Sequence, residues 1–138
     1  MEDLMYEVGG ISLKLKISFK NVGDVFVELK PDWNPKTVNK IVESLPISST
    51  ANRWGDEVYF DIGIKVEEEN SRVDMEVGEV AYWPPGHALC IFFGPTPVSE
   101  SDKPKAYSPV NPVGIVVSGI EVLHRVRGGE EVIVELVD

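Results

Sequence analysis

The chain predicts a mainly β protein, a closed barrel with one covering helix at about Asn34–Leu45. Three observations carry this. Most segments alternate apolar and polar residues with period two, as a strand with one buried face does. A single stretch carries an apolar stripe at helical spacing. Leu89–Phe93 is an unbroken apolar run between Pro84-Pro85-Gly86 and Gly94-Pro95, short enough to be a strand covered on both faces.

Ile11–Lys20 alternates without a fault, Asn21-Val22-Gly23-Asp24 supplies a turn, and Val25, Val27 and Leu29 resume the alternation, so the pair predicts a hairpin. Asn34-Pro35 follows as a helix start, with a capping side chain and then proline at the first helical position. Val38, Ile41, Val42 and Leu45 fall on one face, and Pro46 stops the helix. Val58, Phe60, Ile62 and Ile64 predict the next strand, then Val73, Met75 and Val77, then Val80–Trp83 and Leu89–Phe93. Thr96–Pro112 shifts to Pro, Ser, Lys and acids with no apolar period and reads as a long loop. Val113–Ser118 and Val132–Val137 are the closing strands, Gly119–Val126 fits either a short helix or a strand, and Gly128-Gly129 reads as a hairpin turn.

At 138 residues the chain has the length of one domain, 1–138, able to bury a core without staples. Its single cysteine excludes an internal disulfide framework and a thiolate zinc cluster, and fits a reducing, cytoplasmic setting. With no leader pattern and no run of 18 apolar residues, neither export by the usual signal nor a membrane span is expected. The net charge is −10, and residues 51–100 hold ten acids against three bases. Such a field repels nucleic acid. The Glu67-Glu68-Glu69 run reads as a solvated, solubilising patch.

Candidate site residues cluster around the Pro-Pro-Gly turn. Tyr82 and Trp83 precede it, placing amphipathic rings at the mouth of the β-structure, with His87 just beyond. Arg53 offers a guanidinium for a charge-assisted hydrogen bond, or pairs with Asp56 or Glu57. Tyr59 and Asp61 complete the set, Asp61 facing either the pocket or water. Cys90 reads as a small buried hydrophobe. His87 and Cys90, three apart, would point to opposite faces of a strand, which defeats a metal pair or a Cys–His nucleophile. The acids lack the alternating spacing of a calcium loop, and no metal and no cofactor are expected.

Val25-Phe26-Val27-Glu28-Leu29 followed by Pro35-Lys36-Thr37-Val38-Asn39, with Pro95-Thr96-Pro97 and Val113–Leu123 downstream, resembles the cyclophilins in order and spacing from about Val25 to Val126. The Tyr82–Pro97 run resembles a smaller group, the compact bacterial and archaeal cyclophilin-like proteins of unassigned function. The resemblance implies the barrel and, for the wider family, peptidyl-prolyl isomerisation, in which an arginine hydrogen-bonds the prolyl nitrogen. Arg53 occupies the place of that arginine. The family's Gln-Gly-Gly-Asp stretch has no counterpart here, its pocket phenylalanine falls on Cys90, and its late histidine falls near Val110 or Asn111. The expected function is therefore a non-catalytic module binding a small molecule or short extended peptide through Arg53, Tyr59, Asp61, Tyr82, Trp83 and His87. A weak prolyl isomerase using Arg53 is the alternative, and an assembly protein with an aromatic homodimer face is the third reading. Partners are expected to include neither nucleic acid nor membrane.

Overall fold

A computed structural model describes residues 13–137. Its strands are β1 (Lys14–Phe19), β2 (Gly23–Leu29), β3 (Ile47–Thr50), β4 (Asn52–Trp54), β5 (Glu57–Asp61), β6 (Arg72–Asp74), β7 (Glu79–Trp83), β8 (Ala88–Phe92), β9 (Lys105–Ser118) and β10 (Glu131–Val137). Helix α1 (Pro35–Ser44) and the single turn α2 (Ile120–Leu123) join them, with a 3-10 turn at Pro84–Gly86. Ile11 and Ser12, the first residues of the predicted first strand, lie outside the described residues. No helix among the described residues is long and apolar enough to cross a membrane.

The strands pair antiparallel in the order β3-β10-β1-β2-β9-β7-β8-β5-β4, with β6 added on β9. The predicted hairpin is β1–β2, with Leu15 opposite Val27 and Ile17 opposite Val25. This mainly β architecture agrees with the sequence, but the ladder does not close. It ends at β3 and β4, consecutive strands joined through Ala51. The Ala51 backbone bonds instead to the turn before β10, its N–H to Glu130 and its carbonyl to the Gly129 N–H. One side chain spans the gap from β3 to β5: Ser49 Oγ donates to the Asp61 carbonyl at 2.6 Å.

Period two sorts side chains onto two faces. Leu15, Ile17, Val25, Val27, Val58, Phe60, Leu89 and Ile91 turn inward and pack with Val38 and Ile41 of α1. A smaller apolar cluster of Met75, Ala81, Ala88, Cys90, Phe92, Ala106 and Val110 lies on the opposite face of the sheet. Both faces of β8 are thus covered, and all five of its residues are buried, as its unbroken apolar run predicts.

Three expectations need correction here. The loop read over Thr96–Pro112 stops at Lys105, where β9 begins. Pro109 and Pro112 obscured it, and Pro112 sits where the β7–β9 register shifts, an irregularity that tolerates a residue without an N–H. Gly128-Gly129 does not turn a hairpin; it links α2 to β10, which pairs with β1 and β3.

The third concerns the helix cap. Asn34 does not cap α1 with its side chain. It is buried, donating from Nδ2 to the Pro112 carbonyl at 2.7 Å and accepting the Asn70 N–H on Oδ1 at 2.6 Å. Glu69 caps the helix instead. Its carboxylate accepts the N–H groups of Lys36 and Thr37 at 3.1 and 3.2 Å, and the Thr37 hydroxyl at 2.9 Å. Asn111 holds this loop in turn, accepting the Glu69 N–H and donating to Thr37 Oγ1 and the Glu67 carbonyl. A carboxylate on two orphan amides at the positive end of a helix is favourable. Glu69→Ala is therefore expected to cost about 1–2 kcal/mol in urea unfolding, whereas Glu68→Ala, in the same acidic run, should cost well under half of that.

Candidate functional site

On β5, inward Val58 and Phe60 force Glu57, Tyr59 and Asp61 onto the opposite face. Register carries that face across the sheet: Trp54 lies opposite Glu57, Tyr59 opposite Cys90, and Cys90 opposite Ala81. Cys90 and Ala81 are small, so the floor is low where the flanking strands carry rings. The result is a cavity of about 210 Å³ lined by Trp54, Glu57, Tyr59, Trp83, Cys90, Ala106, Tyr107 and Val110.

The rim is a connected set of rings. Tyr107, 72% exposed, meets Trp54 edge-on at 6.1 Å between centroids and Trp83 edge-on at 6.2 Å. Such contacts stabilise a fixed arrangement by about 0.5–1.5 kcal/mol each. The Trp83 Nε1–H donates to Ser108 Oγ at 2.7 Å, which orients the indole. Gly86 lies against the same ring, and a Cβ there would come within 2.5 Å of Trp83 Cε3 and Cζ3. The Pro-Pro-Gly turn thus matters mainly through its glycine. Gly86→Ala is expected to displace the Trp83 indole and to shift its NMR signals, while leaving the Tyr82 resonances of the inner core in place.

One carboxyl lines the cavity. Glu57 is 6% exposed, and no lysine, arginine or histidine pairs with it among the described residues. Burial pushes its pKa up to about 7, partly offset by a hydrogen bond from the Cys90 thiol. The Cys90 thiol is itself pushed well up by burial and by the neighbouring carboxyl, so it is no thiolate nucleophile. Among the described residues no group of His, Cys, Asp and Glu is arranged to hold a metal ion.

Of the residues named from sequence, Tyr59 and Trp83 line this cavity. Tyr82 does not reach it. Adjacent strand residues face opposite ways, so Trp83 outward puts Tyr82 in the core, fully buried, its hydroxyl donating to the Ile64 carbonyl and accepting the Val66 N–H. Arg53 is one residue out of phase with Trp54 and also turns away. Its Nε donates to the Gly55 carbonyl, Nη1 to the carbonyls of His124 and Val126, and Nη2 to Asp56, with the guanidinium 4.9 Å from the Phe93 ring centroid. This is the ion-pair alternative, extended into a bracket.

Asp61 lies beyond the cavity, beside an open polar depression at β3 that also includes Ser48, Ser49 and Asn52, and its carboxylate accepts the Gly63 N–H. His87 ends the 3-10 turn in a left-handed conformation, φ 50°, half-buried and lining neither depression. Sequence reasoning missed Trp54, Glu57, Ala106 and Tyr107 as site residues, and Val110 enters there only as one of two positions for the family's late histidine. The alternation around Val58 carried the signal for Glu57, since it puts Glu57 and Tyr59 on one face. Tyr107 and Val110 fell inside the segment read as loop.

Comparison with known proteins gives a consistent pattern. The model of the family described as cyclophilin-like matches residues 13–135. A hypothetical protein from Archaeoglobus fulgidus, known from a solution structure, is 48% identical with a TM-score of 0.80, over 94% of this chain and 98% of that one. A cyclophilin-type peptidyl-prolyl cis-trans isomerase of Cryptosporidium parvum superposes with a TM-score of 0.61 at 14% identity, over 93% and 99% of the two chains. The Mimivirus cyclophilin does so with a TM-score of 0.56 at 14% identity, over 90% and 86%. These last two share the fold alone. No curated protein matches the chain.

Proposed function

The chain belongs to the cyclophilin-like family, and from that premise we propose that it is a non-catalytic binding module, one domain that takes a small molecule or one side chain of a short extended peptide into the ring-lined cavity. One observation carries this reading: an apolar concavity of about 210 Å³ with a single buried carboxyl in its lining. An apolar cavity of about 150 Å³ already accommodates a benzene ring. Apolar walls with one or two placed polar groups are the usual composition of a ligand site. The ring contacts and the Ser108 hydrogen bond fix the walls before any ligand arrives, which lowers the ordering cost of binding. An assembly role is less well supported, because Trp83 lines a concavity and not a convex face.

Isomerisation is also less well supported. It requires lowering a barrier of about 18–20 kcal/mol, and the arginine that the resemblance assigned to this task is held by four hydrogen bonds turned away from the cavity. The test is a fragment screen read through the indole N–H signals of Trp54 and Trp83, beside cis–trans exchange of a proline peptide. Fragments are expected to shift those signals, Trp83→Ala to lose the binding by tenfold or more, and peptide exchange to stay at its spontaneous rate. Strong acceleration abolished by Trp83→Ala would make the cavity an isomerase site. A screen in which no fragment moves either indole would remove the binding reading.

A further inference from the structure

We propose that the group seated in this cavity is a primary alkylammonium, held among the rings of Trp54, Tyr59, Trp83 and Tyr107 with its N–H groups on the Glu57 carboxylate. The inference rests on the binding-module reading and names its substrate class. Glu57 is the starting point. A carboxyl 6% exposed and without a cationic partner among the described residues lines the cavity, with only the Cys90 thiol as a weak donor. An ionised carboxylate there is costly until a positive group arrives to pair with it. The walls suit the same guest. Two indoles and two phenols present π-systems that attract an ammonium, and more strongly once water is displaced. The alkyl stem meets Ala106 and Val110, and the volume suits one side-chain-sized group.

The groups that share the cavity with Glu57 come from five strands. β8 contributes the Cys90 thiol, β5 the Tyr59 phenol and β9 the Tyr107 phenol; β4 and β7 bring the neutral rings of Trp54 and Trp83. None of these carries a positive charge that would already satisfy the carboxylate. The net charge of −10 also draws cations toward the protein. Burial holds Glu57 protonated up to about pH 7, so the arriving ammonium displaces that proton to solvent and leaves an N–H to carboxylate pair in its place. Affinity for the cation therefore rises with pH, by roughly tenfold between about pH 6 and pH 8. A neutral guest shows no such rise.

The alkylammonium could be a free amine or the side chain of a lysine in an extended peptide, and the two sources are separable. The probes are n-butylammonium, the neutral near-isostere 1-butanol, and a blocked Gly-Lys-Gly tripeptide, each titrated at about pH 6 and pH 8 while the indole signals of Trp54 and Trp83 are followed. The expected result is tighter binding of n-butylammonium than of 1-butanol at the higher pH. Glu57→Gln should remove at least tenfold of the cation's affinity and leave that of 1-butanol within about twofold. Binding of n-butylammonium without the tripeptide supports a free amine, and binding of the tripeptide at least as tight as that of n-butylammonium supports a lysine side chain. Equal binding of n-butylammonium and 1-butanol, or cation affinity unaffected by Glu57→Gln, overturns the ammonium inference while the binding module stands. Failure of all three probes and of every screened fragment removes both.

Discussion

Glu57→Gln is expected to make the ligand-free protein more stable by about 3 kcal/mol at pH 8 and to change nothing at pH 4. In the folded chain burial raises this carboxyl from its ordinary value of 4.5 to about 7. The native state consequently holds a proton that the unfolded chain releases. The stability contributed by the neutral group is fully present below about pH 4.5 and is lost as pH rises through 7. Above that, the wild-type protein carries an unpaired buried charge, and the interval from 4.5 to about 7 at 1.36 kcal/mol per pH unit sets the size of the penalty. Glutamine keeps the shape and never ionises. Urea unfolding of both proteins across pH 4–8 reads the difference directly: two parallel stability curves would show that Glu57 titrates as an exposed carboxyl does. A side chain that weakens the fold and lines a cavity fits selection for binding better than selection for stability.

Arg53→Ala should destabilise the protein by about 2–4 kcal/mol and leave ligand binding in the cavity within about twofold. The guanidinium joins the β4–β5 turn to the segment after α2 through the carbonyls of Gly55, His124 and Val126, and pairs with Asp56 at 3.0 Å. Removing it leaves those acceptors without their donor and takes a cation from the face of Phe93. Lysine cannot reproduce a planar fork reaching several acceptors, so Arg53→Lys should recover less than half of the loss. Thermal unfolding measures the first effect and the indole titration the second. A variant that folds normally but no longer binds would place Arg53 at the site after all.

Much of the fold could be read from the chain, for a simple reason. Strands with one face in the core write that fact into alternate residues, as in Leu15-Lys16-Ile17 or Val25-Phe26-Val27, and α1 does the same with Val38 and Ile41. What could not be read lacks such a face. β3 and β4 are four and three residues long, with Ser, Thr and Asn at most positions, and nothing in them shows that the ladder stops there. β9 carries prolines that look like loop.

The site was half legible. Tyr59 and Trp83 are legible as aromatics of the site, but Tyr82 beside Trp83 is not part of it, because strand parity sends neighbours to opposite faces. Arg53 stands where the family has an arginine. Its strand phase, one residue away from Trp54, turns it toward α2. Glu57 and Tyr107 meet only through the pairing of distant strands, which no local pattern reports.

Glu69 caps α1 from more than thirty residues downstream, and that distance sets an order of events. A helix of ten residues is marginal alone, and its first turn has no acceptor until the segment around Glu69 has been laid against Asn111. In native-state hydrogen exchange the Lys36 and Thr37 amides should therefore open together with the Glu69 and Asn70 amides, as one cooperative unit, rather than with the remainder of their own helix.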